Sequence, residues 1–561
     1  MADSNERPPI ESRLLKSDYV PTDLEISQTR LLLEEEELAL AAQEQVLAGF
    51  CQVSDDHTIR RVKTIDRIAQ LCSILSVQRK LPAELWDKIF ALASLPDGQY
   101  SLTLRFFDQE SSMPLSFPSL TISQVCSWWK HIAFNTPALW ASISIEFASL
   151  PGSGYHILEI YLRNSKHHPL HLHLHLEGFY NNYVSPRAIR ATWDAVTSSL
   201  PRCSSLSFKN LDDDLEIPPN SLQSLTVFDH ATRDKRSLAK WKIALEDTPI
   251  LTTVAMSFLY PLDSLPYSQL TSLRLRAVGQ DDVTTFCTDI LPSCERLVSL
   301  AFADLDTYDE GTRFERHHLA SLPTLRTLDV FHEEEENGME IYTAKLFTIL
   351  SIHTPFLTTL RLEFWQEYAA TKWPDFLTEF LKETSGSLHF LSLSIAYCDY
   401  SEKQALTDLL ELVPNLTEFN IDMETTDWEG DSVDMESFGN FSRRYLDDLF
   451  HHIESKSDVL VPRLKSIAAS TTGPMILDRD LVDRVLKAAD SRILRSRSTD
   501  ASVCSLANVN LTCRRDEDDT GWKKFKLATK ARARIEALLR DGVRVSVRTL
   551  DQPPMPLKRR G

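Results

Sequence analysis

The chain lacks any run approaching the roughly 20 apolar residues that a bilayer crossing needs, and no apolar segment follows a basic N-terminal flank. A membrane span and a secretory leader are therefore not expected. Positive charge is in deficit, with 60 Lys and Arg against 80 Asp and Glu and a formal net charge of −20. A general nucleic-acid binder needs a basic footprint that this balance excludes. The same charge favours solubility and repels anionic membrane surfaces. The nine cysteines form no CxxC pair and follow no regular spacing. They read as reduced, mostly buried thiols of a cytoplasmic or nuclear protein rather than as a disulfide framework. On that reading the sequons at Asn415, Asn440 and Asn510 are chance matches. The motifs of catalysis are missing too: no GxSxG elbow, HExxH helix, Walker loop or paired-cysteine metal site occurs. The expectation is a protein that is not an enzyme, with no cofactor, no resident metal, no nucleic-acid partner and no membrane partner.

What is present is ordinary globular material, 43% hydrophobic and 25% charged over 561 residues, enough for several domains. Residues 1–22 are polar and read as a disordered N-terminus. Residues 23–80 read as a helical, coiled-coil-like segment, with Ile26, Leu33, Leu40 and Leu47 seven apart. Glu36 and Gln43 occupy the second seam position, which leaves open whether this helix lies on its own domain or self-associates weakly. The organising stretch is 81–143. It opens with LPAELWDKIFALAS, in which Pro82 stands at the start of a predicted helix, where its missing N–H costs nothing. It closes with a predicted helix placing Val125, Cys126, Trp129, Ile132 and Ala133 on one broad face. Helices this short cannot bury so many large side chains between themselves, so the surplus must meet another domain or another protein.

The two halves of this stretch resemble an F-box of the form common in large fungal families. Gln124, Val125, Cys126, Trp129, Ile132 and Ala133 match QVC-x-x-W-x-x-IA. Thr136, Pro137, Leu139 and Trp140 match the following TP-x-LW, and Leu81, Pro82, Glu84, Leu85, Ile89 and Phe90 match the opening. The resemblance implies docking to the Skp-type adaptor and cullin-RING core of a ubiquitin ligase. The adaptor-facing residues would then be Leu81, Pro82, Glu84, Leu85, Ile89, Phe90, Val125 and Cys126. In one respect the chain departs from the pattern, because Gly98–Ser119 makes a longer link between the halves than is usual.

From residue 144 to 515 one motif recurs, apolar-x-x-apolar-x-apolar, usually behind an amphipathic helix and often behind a proline. Instances include Cys203-Leu206-Phe208, Leu222-Leu225-Val227, Leu251-Val254-Met256, Leu270-Leu273-Leu275, Leu297-Leu300-Phe302, Leu325-Leu328-Val330, Leu357-Leu360-Leu362, Leu388-Leu391-Leu393, Leu416-Phe419-Ile421 and Leu464-Ile467-Ala469. From Leu273 to Phe419 the central residues stand about 27 to 32 apart, close to the upper end of the leucine-rich-repeat period. Alternation buries every second side chain of a short strand while the preceding helix covers the same core, and one such unit cannot bury its own apolar face. The predicted fold is α/β: helices at the N-terminus, then a leucine-rich-repeat solenoid of short parallel strands with helices outside. A general α/β domain is the competing architecture.

Residues between the buried positions would line the concave surface and meet an unknown target protein: Arg274, Arg276, Asp329, Phe331, Arg361, Glu363, Asn420 and Asp422. In Leu158–Gly178 the strand LHLHLHL points His171, His173 and His175 to one side. At about 7 Å between same-face positions these three are too far apart for bonds of roughly 2 Å to one ion, so they read as an open strand face, with pH sensitivity as a softer alternative to metal binding. Residues 516–561 form a basic tail and cap, with Val543, Val545 and Val547 alternating as a terminal strand. Two functions remain: a substrate receptor of a cullin-RING ligase, or a non-ligase repeat scaffold.

Overall fold

The structure, a computed structural model, describes residues 19–48, 55–76, 81–94, 102–104, 117–146, 154–175, 186–209, 220–231, 248–256, 265–276, 286–303, 320–331, 349–365, 375–396, 405–424, 461–472, 479–497, 503–515 and 529–551, with short pieces at 10–11, 13–15, 217–218, 245, 373, 446–447 and 449–453. The reading made on residues 1–18 lies largely outside them, as do residues 516–528 and 552–561 of the basic tail. The chain divides into two compact units, Met1–Leu215 and Glu216–Gly561.

In the first unit, helices α1 (Asp23–Ala48) and α2 (Asp55–Leu75) pack against each other. Helix α1 starts at a capping box. The Thr22 Oγ1 accepts the Glu25 N–H at 3.4 Å, and the Glu25 carboxylate accepts the Thr22 N–H at 2.7 Å. The heptad positions Ile26, Leu33 and Leu40 are only half-buried, and the buried side carries Glu25, Thr29 and Glu36 instead. Glu36 is tolerated there because Arg67 of α2 meets it at 2.8 Å.

Helix α3 (Ala83–Ser94) begins one residue after Pro82, whose carbonyl accepts the Leu85 N–H at 3.1 Å. The second half of the 81–143 stretch is two helices rather than one, α4 (Pro118–Val125) and α5 (Ser127–Asn135). They break at Cys126, which is extended (φ −158°) and caps α5 by accepting the Trp129 N–H at 3.4 Å. The break is why Val125 and Cys126 are exposed while Ile132 and Ala133 are buried, so the five do not share one face. Trp86, Phe90 and Trp129 form an aromatic cluster with ring centroids 5.0–5.3 Å apart. Trp129 thus packs inside the helical layer, and Trp140 is the residue that reaches the first strand–helix unit. Trp140 donates to the Ala133 carbonyl at 2.6 Å and stands 4.9 Å from the Tyr161 ring on helix α6 (Gly154–Asn164).

Four parallel strands complete this unit: β1 (Leu102–Leu104), β2 (Ser142–Glu146), β3 (Leu170–His175) and β4 (Cys203–Lys209). Helix α6 connects β2 to β3, and α7 (Pro186–Ser199) connects β3 to β4. Among the described residues the first strand begins at Leu102, inside the link between the two halves of the 81–143 stretch, and Leu102, Ile143, Leu172 and Leu206 share one buried rung.

The second unit contains β5 (Val227–Ala231), β6 (Thr253–Met256), β7 (Ser272–Arg276), β8 (Ser299–Ala303), β9 (Thr327–Phe331), β10 (Thr359–Trp365), β11 (Phe390–Ala396), β12 (Glu418–Glu424), β13 (Ser466–Thr472), β14 (Asn508–Arg515) and β15 (Arg544–Asp551). Each is parallel to the next. Helices α8 (Asp375–Thr384), α9 (Ala405–Glu411), α10 (Arg479–Arg497) and α11 (Thr529–Arg540) lie in the connections. One rung runs Phe228, Val254, Leu273, Leu300, Leu328, Leu360, Leu391, Phe419, Ile467, Val509 and Val545, which is the central position of the motif carried from strand to strand. The architecture is α/β of the leucine-rich-repeat type.

Two readings of the repeat are corrected. The motif at β5 is Leu225-Phe228-His230, not Leu222-Leu225-Val227: Phe228 and His230 are fully buried, and Val227 is half-buried on the neighbouring row. A histidine on an apolar rung broke the pattern and shifted the assignment by one triplet. A further repeat, Leu506-Val509-Leu511 on β14, follows the last one expected.

Successive strands are locked by their first residues. The Thr226 carbonyl accepts the N–H groups of both Thr252 and Thr253, Thr252 does the same for Thr271 and Ser272, and the pattern continues through Thr271, Val298, Arg326, Thr358, His389, Thr417 and Lys465. Thr252, Thr271, Thr358 and Thr417 add their hydroxyls to the same carbonyls at 3.0–3.3 Å. Threonine directly after the leading leucine is the sequence signal for this clamp.

Candidate functional site

Helix α3 carries the first candidate surface. Trp86 (6% exposed) and Phe90 (1%) hold one side of it in the core. On the other side Leu85, Ile89 and Leu92 are 44%, 41% and 77% exposed, and Pro82 and Glu84 are exposed beside them. Leu81 is half-buried, and Val125 (56%) and Cys126 are exposed at the α4–α5 break. Of the eight adaptor-facing candidates, Phe90 is thus a core residue that anchors the helix. Leu92 belongs with the exposed set; its place seven residues on from Leu85 and three on from Ile89 marks it in the sequence. The helix is fixed against α5, since Thr136 donates to Asp87 at 2.6 Å and to the Ile132 carbonyl at 2.9 Å.

The open strand face of the second unit is the second candidate. Arg274, Asp329, Arg361 and Asn420 occupy one rung, with Ala301 and Ser392 between them. Phe331, Glu363 and Asp422 stand two residues further along their strands, on the same side. The structure brings the arginines onto rings: Arg274 lies 4.6 Å over Phe331, and Arg361 lies 5.3 Å over Phe390. Arg276 donates to Asp229 at 2.5 Å. Arg361 stays 57% exposed at 3.8 Å from Asp329, too long for a hydrogen bond. Burial raises the Asp329 carboxyl above its ordinary value, against the pull of Arg361 and Arg274. Ala301 (9% exposed) and Ala303 (0%) leave room on β8 for these larger neighbours. Asn420 and Asp422 are half-buried on β12, apart from the arginine–aromatic group. Sequence reasoning missed Asp229, because its strand was misregistered, and Phe390, because it precedes the motif's central leucine.

A third surface lies on β3, where His171, His173 and His175 share the open side and His173 Nδ1 stands 3.0 Å from Ser207 Oγ. Burial, and then His168, lower the His171 pKa. No group of three or more His, Cys, Asp or Glu among the described residues is placed to hold a metal ion. Cys203, Cys287 and Cys294 are buried thiols, each pushed up to about 12 by burial. A groove between α6 and α7 is lined by Tyr155, Glu159, Arg163 and Arg202, but Arg202 is committed to the Leu162 carbonyl at 2.9 Å and the Ser165 hydroxyl at 3.0 Å.

No protein-family model matches the chain, and no curated protein matches it. Among solved structures it is similar to a leucine-rich repeat-containing protein, LegL7 from Legionella pneumophila, at 12% identity over 71% of this chain and 97% of that one, with a TM-score of 0.29. No helix among the described residues is long and apolar enough to cross a membrane.

Proposed function

We propose that the chain is the substrate-recognition subunit of a cullin-RING ubiquitin ligase, α3 docking to a Skp-type adaptor and the strand face of the repeats holding a target protein. One observation carries the reading. Leu85, Ile89 and Leu92 form an exposed apolar stripe on a helix that Trp86 and Phe90 fix in place, in the stretch that resembles an F-box. A receptor of this kind contributes positioning and effective concentration rather than bond chemistry. A mixed face of arginine, carboxylate and aromatic side chains suits a protein target.

Because Leu85 and Ile89 are exposed, changing both to Asp leaves the fold intact and removes apolar area worth about 2 kcal/mol of docking, roughly a 30-fold loss before the cost of burying charge. Wild-type chain should capture the purified adaptor and the double variant should not. Equal capture by both, or capture by neither, defeats the reading.

A second reading, a non-ligase scaffold that self-associates through its N-terminal helix, is favoured by Leu24, Leu31 and Leu38. These stand seven apart on α1 and are 69%, 62% and 72% exposed. A solution mass of two chains that falls to one when all three become Gln, with no adaptor capture, would select it.

A further inference from the structure

The histidine strand is an ordered titratable cluster that adaptor docking does not use. Parallel register, which skips Ser204 of β4 between Leu170 and His171, places its neighbours. Ser142 on β2 and Ser205 on β4 flank His171, Ser144 and Ser207 flank His173, and Glu146 and Lys209 flank His175. The rest of the facing surface bears no ionisable side chain from β2, and Thr103 of β1 beside Ser144 adds none. In the turn before β3 stand Lys166, His167 and His168, all exposed, and His168 is the one that presses on His171. Protonation of the imidazoles therefore adds positive charge to this face within a chain of formal charge −20. Successive imidazoles lie about 7 Å apart, the spacing at which an extended polypeptide presents every second side chain.

We propose that the β3 face is a pH-gated docking surface for an extended acidic polypeptide segment with carboxylates at alternate positions, held when the imidazoles are protonated and released when they are neutral. The serines on either side are small enough to let such a segment lie along β3. Glutamates of the partner stay ionised down to about pH 5, so the gate is set by the histidines. The low-lying His171 makes the transition extend below pH 6.5 rather than centre above it. The chain's overall negative charge repels an acidic peptide, so any binding is attributable to a local surface.

The test uses the full chain and a fluorescein-labelled Gly-Glu-Gly-Glu-Gly-Glu-Gly peptide in an anisotropy titration at 50 mM salt, without adaptor, so that its outcome is separate from that of the capture experiment. Expected are at least 10-fold tighter binding at pH 5.5 than at pH 7.5, loss of that difference in H171N/H173N/H175N, and tighter binding in E146Q. A peptide of the same composition with its three glutamates consecutive should bind less tightly. Absence of binding at pH 5.5, binding independent of pH, or a triple variant that behaves as wild type would each overturn the proposal.

Discussion

Acidification should loosen the second unit through one side chain. His230 is fully buried on β5, on a rung otherwise occupied by Met256, Leu275, Phe302 and Val330, with its ring stacked 6.1 Å from Phe228. Burial holds its pKa down to about 4, with Arg276 lowering it further and Asp229 partly opposing. The folded pKa lies below that of an unfolded imidazole, near 6.5, so the unfolded chain binds the proton more readily and stability falls as pH falls from 6.5 toward 4. The linkage is almost zero at pH 7, about 2 kcal/mol at pH 5 and about 3 kcal/mol at pH 4. Other groups titrate in the same range, so the measurement is a difference. His230→Met places on β5 the residue that β6 already has at this rung, and it removes the proton site while keeping the volume close. Amide exchange of Val227–Ala231 and urea midpoints are recorded for both proteins at pH 7 and pH 5. Protection of β5 should drop about 30-fold more in wild type than in the variant. Parallel pH dependence in the two proteins would refute the assignment of this slope to His230.

Two further perturbations probe the same unit. Arg492 on α10 is fully buried, pushed down to about 10 by burial, and donates to the Val461 carbonyl at 3.0 Å and the Pro462 carbonyl at 3.3 Å. Arg492→Met should cost about 2–4 kcal/mol in urea unfolding by stranding both carbonyls, and Arg492→Lys should recover little because an ammonium lacks the planar fork. Gly542 ends α11 at φ +86°, with its N–H on the Leu539 carbonyl at 3.1 Å and the next N–H, from Val543, on Leu538 at 2.9 Å. Gly542→Ala should lower stability by about 1 kcal/mol on backbone grounds alone. Gly386→Ala, where nothing lies within 4 Å of the added methyl, should not; equal melting shifts for the two would contradict the strain.

The strands were legible because burial alternates with period two and the motif repeats it, and their register followed once one rung was known. Failures arose where a residue's chemistry and its position disagree. His230 fills an apolar place, so pattern reading skipped to Leu222 and lost Asp229 with it. Cys126 looks like a member of an apolar helical face, yet it caps α5, and the helix break it makes exposes Val125. On α1 the polar residues Glu25, Thr29 and Glu36 lie inside while leucines lie outside, because a capping carboxylate and the Glu36–Arg67 pair outweigh the heptad signal. The arginine–aromatic contacts of the strand face depend on side chains reaching to neighbouring strands, which spacing along one strand does not encode.

The repeats differ in length, and the structure shows how unequal repeats hold one register. At the start of each strand the attachment is rigid: one carbonyl takes two successive N–H groups from the next repeat, often with a threonine hydroxyl as well. Elsewhere the attachment has reach. Asn415 donates to the Ser385 and Gly386 carbonyls beyond the end of α8, Arg326 to the Phe356 carbonyl, and Arg492 to Val461 and Pro462. In the first unit Arg202 does the same for Leu162 in the last turn of α6 and for Lys166 past its end. Lys166 and Val461 both adopt positive φ, 49° in each case. The guanidinium that binds their carbonyls offsets a backbone conformation that neither side chain favours. A long, multidentate donor tolerates a loop of different length, whereas a ladder of short amides demands the same turn each time. Repeat length was therefore free to vary between strands whose rungs could not.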